Sequence, residues 1–417
     1  MRRSPLLWFD TGTNVLDRLR AKLNTSADTT PDWSGFQTDI YRRATDDQIL
    51  PALPTNLLAL EALAMEVMTE EARGYIVASA GNGDATRGNR DGFNRYRILP
   101  RVLAGVDKRS LATSVVGESQ LAPMILAPVG VQTLAHPDGE LATARAAAHT
   151  GITYVHSQAA SHSFEEVADA AGSGRRWFQL YWVTDRNVVL SFLDRAKNAG
   201  FSSLVLTVDT VVLGWRPADL NRGFLPFLRG IGVRNYTTDP AFMSTIEVAR
   251  RGDPHAIGEQ WLRIFPHAGL NWTDLAWLRD QWKGPILIKG IQHPHDATRS
   301  IDEGLDGVIV SNHGGRQIDS GLATIDSLAA IVAAVDDRIP VLIDSGIRTG
   351  TDVLKAIALG ASAALIGRSF LYGLALAGQA GVEHVIRCTL AELELSMALA
   401  GASTPDELTP DHLRRTR

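Results

Sequence analysis

From about residue 124 onward the chain alternates short apolar runs with stretches whose apolar residues recur at helical spacing. Eight runs stand out, at 124–127, 152–157, 177–182, 203–209, 285–289, 307–311, 340–344 and 363–367, each followed by a helical candidate such as 185–199 or 352–359. That alternation is the signature of successive βα units around a parallel sheet, and eight such units predict a closed (β/α)8 TIM barrel in the α/β class. A doubly wound open sheet is the alternative. Its first strand normally ends in a GxGxxG turn, and Ala127-Pro128-Val129-Gly130 is not one.

Two regions stand outside the repeat. Residues 1–95 carry a helical pattern at 56–73 and a Gly/Ala/Asn-rich turn at 78–88, together an N-terminal helical cap leading into the barrel of 96–417. Residues 213–271, rich in Gly, Pro and aromatics, form a long insertion after the fourth strand, expected to act as a lid. Nothing resembling a low-complexity linker interrupts the chain, so one structural domain is expected.

Composition narrows the function. The 417 residues are 45% hydrophobic, enough for a large core, and the formal charge of −5 argues against a nucleic-acid or anionic-membrane surface. A single cysteine, Cys388, excludes an internal disulfide framework and fits a reducing, cytoplasmic setting. The apolar stretch within residues 1–10 is too short for a signal peptide, and no segment reaches the roughly 18 apolar residues that span a bilayer.

Polar residues gather where a barrel builds its site. Gln179, Tyr181, Thr207, Asp209, Lys289, Ser311, His313, Asp344 and Arg348 fall at or just past the C-terminal ends of the predicted strands. The most informative stretch is Ser311-Asn312-His313-Gly314-Gly315-Arg316. It delivers an imidazole suited to proton abstraction and a guanidinium suited to clamping a carboxylate. Asp209 could hold that imidazole in one tautomer or could cap the next helix. Arg216 could add a second carboxylate contact or lie in solvent, and Tyr75 and Tyr181 could donate hydrogen bonds or pack in the core. Lys289, pointing into the mouth, needs an anion, a Schiff base or a cofactor that gains negative charge. Asp344-Ser345-Gly346-Ile347-Arg348 and Gly367-Arg368-Ser369, at the ends of strands seven and eight, offer backbone NH groups and guanidinium charge for phosphate. His156, His162, His293 and His295 show no metal-ligand spacing, and no metal site is expected.

These residues, with Ala135-His136-Pro137-Asp138-Gly139-Glu140, Phe178-Gln179-Leu180-Tyr181, Leu206-Thr207-Val208-Asp209-Thr210 and Ile288-Lys289-Gly290, resemble the FMN-dependent 2-hydroxy acid oxidase/dehydrogenase family from about Tyr75 to the C-terminal end. The resemblance implies FMN as cofactor and a small 2-hydroxy acid and O2 as partners. It makes His313 the base paired with Asp209, Arg216 and Arg316 the carboxylate anchors, and Tyr75 and Tyr181 hydrogen-bond donors to substrate. Lys289 would face the flavin N1/C2 oxygen region, with Ser157, Gln179, Thr207 and Ser311 at the isoalloxazine edge. The Pro128-Val129-Gly130 backbone would lie against its face, and Asp344, Ser345, Gly346, Arg348, Gly367 and Arg368 would hold ribityl and phosphate.

Within the family the likeness is strongest to lactate 2-monooxygenase, through Gly214-Trp215-Arg216-Pro217, Pro226-Phe227-Leu228-Arg229-Gly230 and Gln292-His293-Pro294. It implies retention of the keto acid by the lid and its oxidative decarboxylation; release of keto acid and hydrogen peroxide, as in a simple oxidase, is the alternative. Gly130, where simple oxidases usually carry alanine, favours the former. Ala159 stands where the family carries a bulky residue, which implies a larger pocket and a longer or aromatic substrate. A homotetramer or homo-octamer is expected from the same likeness. A Schiff-base lyase using Lys289 and a flavin-free barrel are the rival readings.

Overall fold

The computed structural model describes residues 32–416; the expectations for residues 1–31, including the opening ten, and for Arg417 lie outside the described residues. All eight apolar runs are parallel strands of one closed barrel. In chain order they are β1 Met124–Leu126, β2 Tyr154–Ser157, β3 Arg176–Tyr181, β4 Leu204–Thr207, β5 Ile286–Ile291, β6 Gly307–Val310, β7 Val341–Ile343 and β8 Ala363–Ile366. Pairing of Ala364 with Met124 and Ile366 with Leu126 closes β8 onto β1.

The runs look continuously apolar because each strand is buried on both faces. Ile125, Val155, Trp177, Val205, Leu287, Ile309, Leu342 and Leu365, one from each strand, form a separate inner cluster, while their neighbours pack outward against the helices. Each such side chain contributes roughly 1.5–3 kcal/mol by leaving water. A hairpin of Thr113–Val115 and Glu118–Gln120 closes the N-terminal end, where Glu118 accepts a 3.0 Å hydrogen bond from the buried Trp177 indole.

The N-terminal cap departs from the expected pattern in two places. The single helix expected over 56–73 is two, Leu57–Val67 and Glu70–Val77, because Thr69 adopts an extended conformation and its hydroxyl accepts from the Ala72 NH at 3.1 Å. The turn expected over 78–88 ends at Gly83, where helix Asp84–Asn94 begins. Its start is held by a distant carboxylate: Asp319 accepts from the NH groups of Asn82 at 2.6 Å and Ala85 at 3.0 Å.

The insertion after β4 is built from short helices started by proline, among them Pro217–Arg222, Pro240–Ser244 and Pro254–Ile264. Its middle is bolted to the β2 loop. Asn235, wholly buried, donates to the Gln158 carbonyl at 3.1 Å and accepts from the Phe164 NH at 3.0 Å, and the Tyr236 hydroxyl takes a 2.6 Å bond from Gln158. These bonds tie this part of the insertion to the barrel. No helix of the described residues is long and apolar enough to cross a membrane.

Candidate active site

Strand register sets the site. Ser157 pairs with Gln179, Tyr181 with Thr207 and Thr207 with Lys289, so the polar strand ends lie side by side around the C-terminal rim. Above them opens a cavity lined by strand ends, the cap and the insertion.

On one wall, His313 Nδ1 lies 2.8 Å from Asp209 Oδ1 and 3.2 Å from the Thr210 hydroxyl, while Nε2 lies 3.5 Å from the Tyr181 hydroxyl. Asp209 therefore serves the imidazole and caps no helix. Its approach depends on Gly290, at φ +112°, where a Cβ would come within 2.7 Å of the Asp209 Cβ. His313 itself sits at φ +57°, a left-handed conformation fixed by a bond from its NH to Ser311 Oγ at 3.1 Å.

Burial lowers the His313 pKa below the ordinary histidine range, and Asp209 pulls the other way. Burial would raise the Asp209 carboxyl, yet its interaction with His313, the charge of Lys289 and the hydrogen bond from Thr210 hold it at about 2. The pair rests as carboxylate and neutral imidazole, with Nδ1–H donating to Asp209 and the Nε2 lone pair turned to the cavity. Burial pushes the Tyr181 hydroxyl well above the usual phenol range, leaving it a donor.

Two guanidiniums line the same cavity. Arg316 donates to the carbonyls of Tyr75 at 2.7 Å and Ala78 at 2.9 Å and lies 5.0 Å from the centre of the Tyr75 ring. Burial, reinforced by Arg216, lowers its pKa to about 9. Arg216 is buried instead of solvated, donating from Nε to the Arg316 carbonyl at 3.0 Å and from Nη2 to Gln317 at 2.6 Å. Asp219, whose carboxylate lies 3.8 Å from Arg216 Nη1, balances one of these charges, and a bound carboxylate would balance the other.

The strand ends beneath the cavity are polar, Ser157, Gln179, Thr207 and Ser311 lying outside its lining, and one end of the cavity is basic. The Lys289 ammonium sits 2.8 Å from Ser311 Oγ and 3.0 Å from Asp344 Oδ2; burial lowers its pKa, but Asp344 and Asp209 more than compensate, so it stays charged. Ser311 and Asp344 thus serve Lys289 directly. Ser345 joins them, donating to Asp344 at 2.9 Å and accepting from the Gly314 NH at 2.9 Å. Ser157 Oγ donates to Gln179 at 3.0 Å, but Gln179 Nε2 and Thr207 Oγ1 are buried and find no partner among the described residues. Arg348 and Arg368 line the basic end with Gly346 and Gly367, and Arg368 Nη2 donates to the Gly314 carbonyl at 2.8 Å. Pro128, Val129 and Gly130 line the face between.

FMN fits this donor set. Unpartnered buried amide and hydroxyl groups suit the polar edge of the ring, a buried ammonium suits a ring that gains negative charge, and paired arginines beside glycine-rich turns suit a phosphate.

Several cavity residues carry little sequence signal. Thr210, next to Asp209, is found by adjacency, but Phe227 and Phe265 come from the insertion and line the cavity as the outer rings of the stack Phe227–Trp261–Phe265, with centroids 4.1 and 4.3 Å apart. Gly130 has a local reason to be glycine: a Cβ there would come within 2.5 Å of the Ala159 carbonyl oxygen. Ala159 lines the cavity as expected. His293 accepts from the His295 NH at 3.1 Å as a helix N-cap, and His156 is packed among Tyr154, Phe164 and Phe201.

Residues 64–415 match the family model described as FMN-dependent dehydrogenase. The chain is 42% identical over 388 residues to an FMN-dependent alpha-hydroxy acid dehydrogenase of Penicillium citrinum, covering 92% of this chain and 96% of the relative. It is also 42% identical to an L-lactate oxidase of Lysinibacillus sphaericus, covering 84% and 90%. A crystal structure of mandelate oxidase with (S)-4-hydroxymandelic acid superposes with a TM-score of 0.77 at 37% identity, covering 87% of this chain and 98% of that one. Fold, cavity and sequence agree: the chain belongs to the FMN-dependent dehydrogenase family and is an oxidoreductase with FMN as its cofactor.

Proposed function

We propose that the protein oxidises an L-2-hydroxy acid to the 2-keto acid, with O2 as the final acceptor. The observation that carries this reading is His313, paired with Asp209, lining one cavity together with Arg216 and Arg316. The guanidiniums take the substrate carboxylate, and Tyr75 and Tyr181 hydrogen-bond the substrate. His313 Nε2 accepts a proton, and Asp209 stabilises the imidazolium that results. Bound FMN supplies the two-electron acceptor and returns the electrons to O2. Lys289 would supply positive charge to offset the charge that FMN gains on reduction. Gln179, Ser157, Thr207 and Ser311 would hydrogen-bond the ring of FMN, and the backbone of Pro128, Val129 and Gly130 would pack against it. Asp344, Ser345, Gly346, Arg348, Gly367 and Arg368 would hold the ribityl chain and phosphate. Relatives named for lactate and mandelate support the substrate class.

Two electrons and two protons leave the hydroxy acid and reduce O2 to hydrogen peroxide. A second reading follows from the roof of Leu213, Phe227 and Phe265 over the cavity. If the keto acid is retained there, it reacts with the peroxide to give carbon dioxide, water and an acid one carbon shorter. A panel of L-2-hydroxy acids, followed first by anaerobic bleaching of the flavin and then by products under air, tests both. Stoichiometric hydrogen peroxide and keto acid establish the first, carbon dioxide the second, and no bleaching with any 2-hydroxy acid overturns the whole reading. The assembly proposed is a homotetramer or homo-octamer, read by light scattering.

A further inference from the structure

The phosphate end of the cavity has a neighbour outside the barrel. Cap helix Leu57–Val67 starts at Asn56, whose side chain accepts from the Leu58 NH at 3.0 Å, and buries Leu57, Leu60 and Ala64 along one stripe. Those residues pack the helix against the C-terminal helix Arg368–Ala400. Arg368 and Tyr372 lie one turn apart on that long helix, and Glu61 reaches across to the same place. Its Oε1 accepts from the Tyr372 hydroxyl at 2.9 Å, and its Oε2 lies 3.5 Å from Arg348 Nε. Residue 61 precedes the stretch that matches the family model, which begins at residue 64.

Arg348 needs such a partner. Its side chain is 9% exposed, its Nη1 donates to the Ile347 carbonyl at 3.1 Å, and its buried Nε makes no hydrogen bond among the described residues. With Glu61 on the Nε edge and a carbonyl on Nη1, Nη2 is the end of the fork left for a ligand. Arg368 stands close by; burial and the charge of Arg348 lower its pKa to about 10, and Glu61 opposes that. A guanidinium binds a phosphate best when its plane is already set, because little rotamer freedom is then lost on binding. Without a counter-charge the two cations would also repel each other apart.

We infer that Glu61 of the N-terminal cap is a positioning residue for the FMN phosphate, acting through Arg348 and braced by the Tyr372 hydroxyl. The inference rests on the reading of Arg348 as a phosphate ligand, given above as a proposal. It ties cofactor retention to a helix that contributes nothing to the barrel. Tyr372 carries the same geometry from the other side, since its hydroxyl fixes the carboxylate that fixes the arginine.

The test compares the affinities of FMN and riboflavin, which lacks the phosphate, for apoprotein prepared from the holoenzyme, by quenching of flavin fluorescence. Glu61→Gln is expected to lower the ratio of FMN to riboflavin affinity roughly fivefold, the size of one partly exposed ion pair, while riboflavin binding holds. Glu61→Asp, which keeps the charge on a shorter arm, is expected to recover part of that loss. A cap loosened in general would weaken both flavins equally and leave the ratio unchanged, which overturns the inference. A raised ratio overturns it too, because Glu61 would then be repelling the phosphate. Arg348→Ala separates the two claims: if it leaves the ratio unchanged, the phosphate reading itself has failed. If it lowers the ratio while Glu61→Gln does not, only the role of Glu61 has failed.

Discussion

Asp209→Asn isolates the charge of the acid–base pair. The asparagine oxygen can still accept from His313 Nδ1–H, so the 2.8 Å contact and the tautomer survive while the negative charge is lost. Two unit charges about 4 Å apart interact by about 4 kcal/mol at an effective dielectric near 20, a ceiling of roughly a thousandfold in rate for a transition state that places a proton on His313. Because the amide keeps a dipole aimed at the ring, a fall of roughly a hundredfold in the reduction rate is expected, within the usual span of a positioned base. Anaerobic stopped-flow bleaching at saturating substrate measures it, on protein checked for full FMN content. The pH profile supplies a sign. Asp209 favours the imidazolium, so its loss weakens the hold of His313 on a proton, and the acidic limb of kcat/KM moves to lower pH. A reduction rate within fivefold of the parent, or a limb that moves upward, would refute the pairing of these residues in the chemistry.

Three further outcomes are expected. Ala159→Leu fills part of the cavity and shifts kcat/KM toward lactate over longer or aromatic 2-hydroxy acids; an unchanged ranking across chain lengths counts against a pocket set by residue 159. Gly130→Ala forces a Cβ to within 2.5 Å of the Ala159 carbonyl, and a loss of about 1–3 kcal/mol in denaturant unfolding is expected, whereas undiminished stability would show that the two loops yield freely. Arg316→Lys keeps charge but gives up the fork and the stacking over Tyr75, so KM for the hydroxy acid rises by about tenfold or more with smaller change in kcat; an unaltered KM would remove Arg316 from the carboxylate site.

The barrel was legible because buried parallel strands have no solvent face to break their apolar runs, and the rim chemistry because register converts neighbouring strands into neighbouring side chains. Asp209, His313, Lys289, Arg216 and Arg316 meet in the cavity or directly beneath it for that reason. The N-terminal cap was less legible. Helix Asp84–Asn94 is poor in apolar residues and draws its stability from contacts far along the chain, including a reciprocal amide pair of Asn89 with Asn312 at 2.9 and 2.8 Å. No local pattern announces a partner more than two hundred positions away. Phe265 and Glu61 were hidden likewise, since each reaches the site through an element whose docking no spacing encodes.

The left-handed backbone at His313 bears on how that position is studied. Whatever side chain replaces the imidazole inherits φ +57°, a torsion that glycine meets freely, asparagine tolerates and valine resists. Comparisons across replacements at 313 therefore mix lost basicity with torsional strain unless they are matched for backbone preference. A glycine variant supplied with exogenous imidazole separates the two, since chemical rescue there reports on the missing base alone.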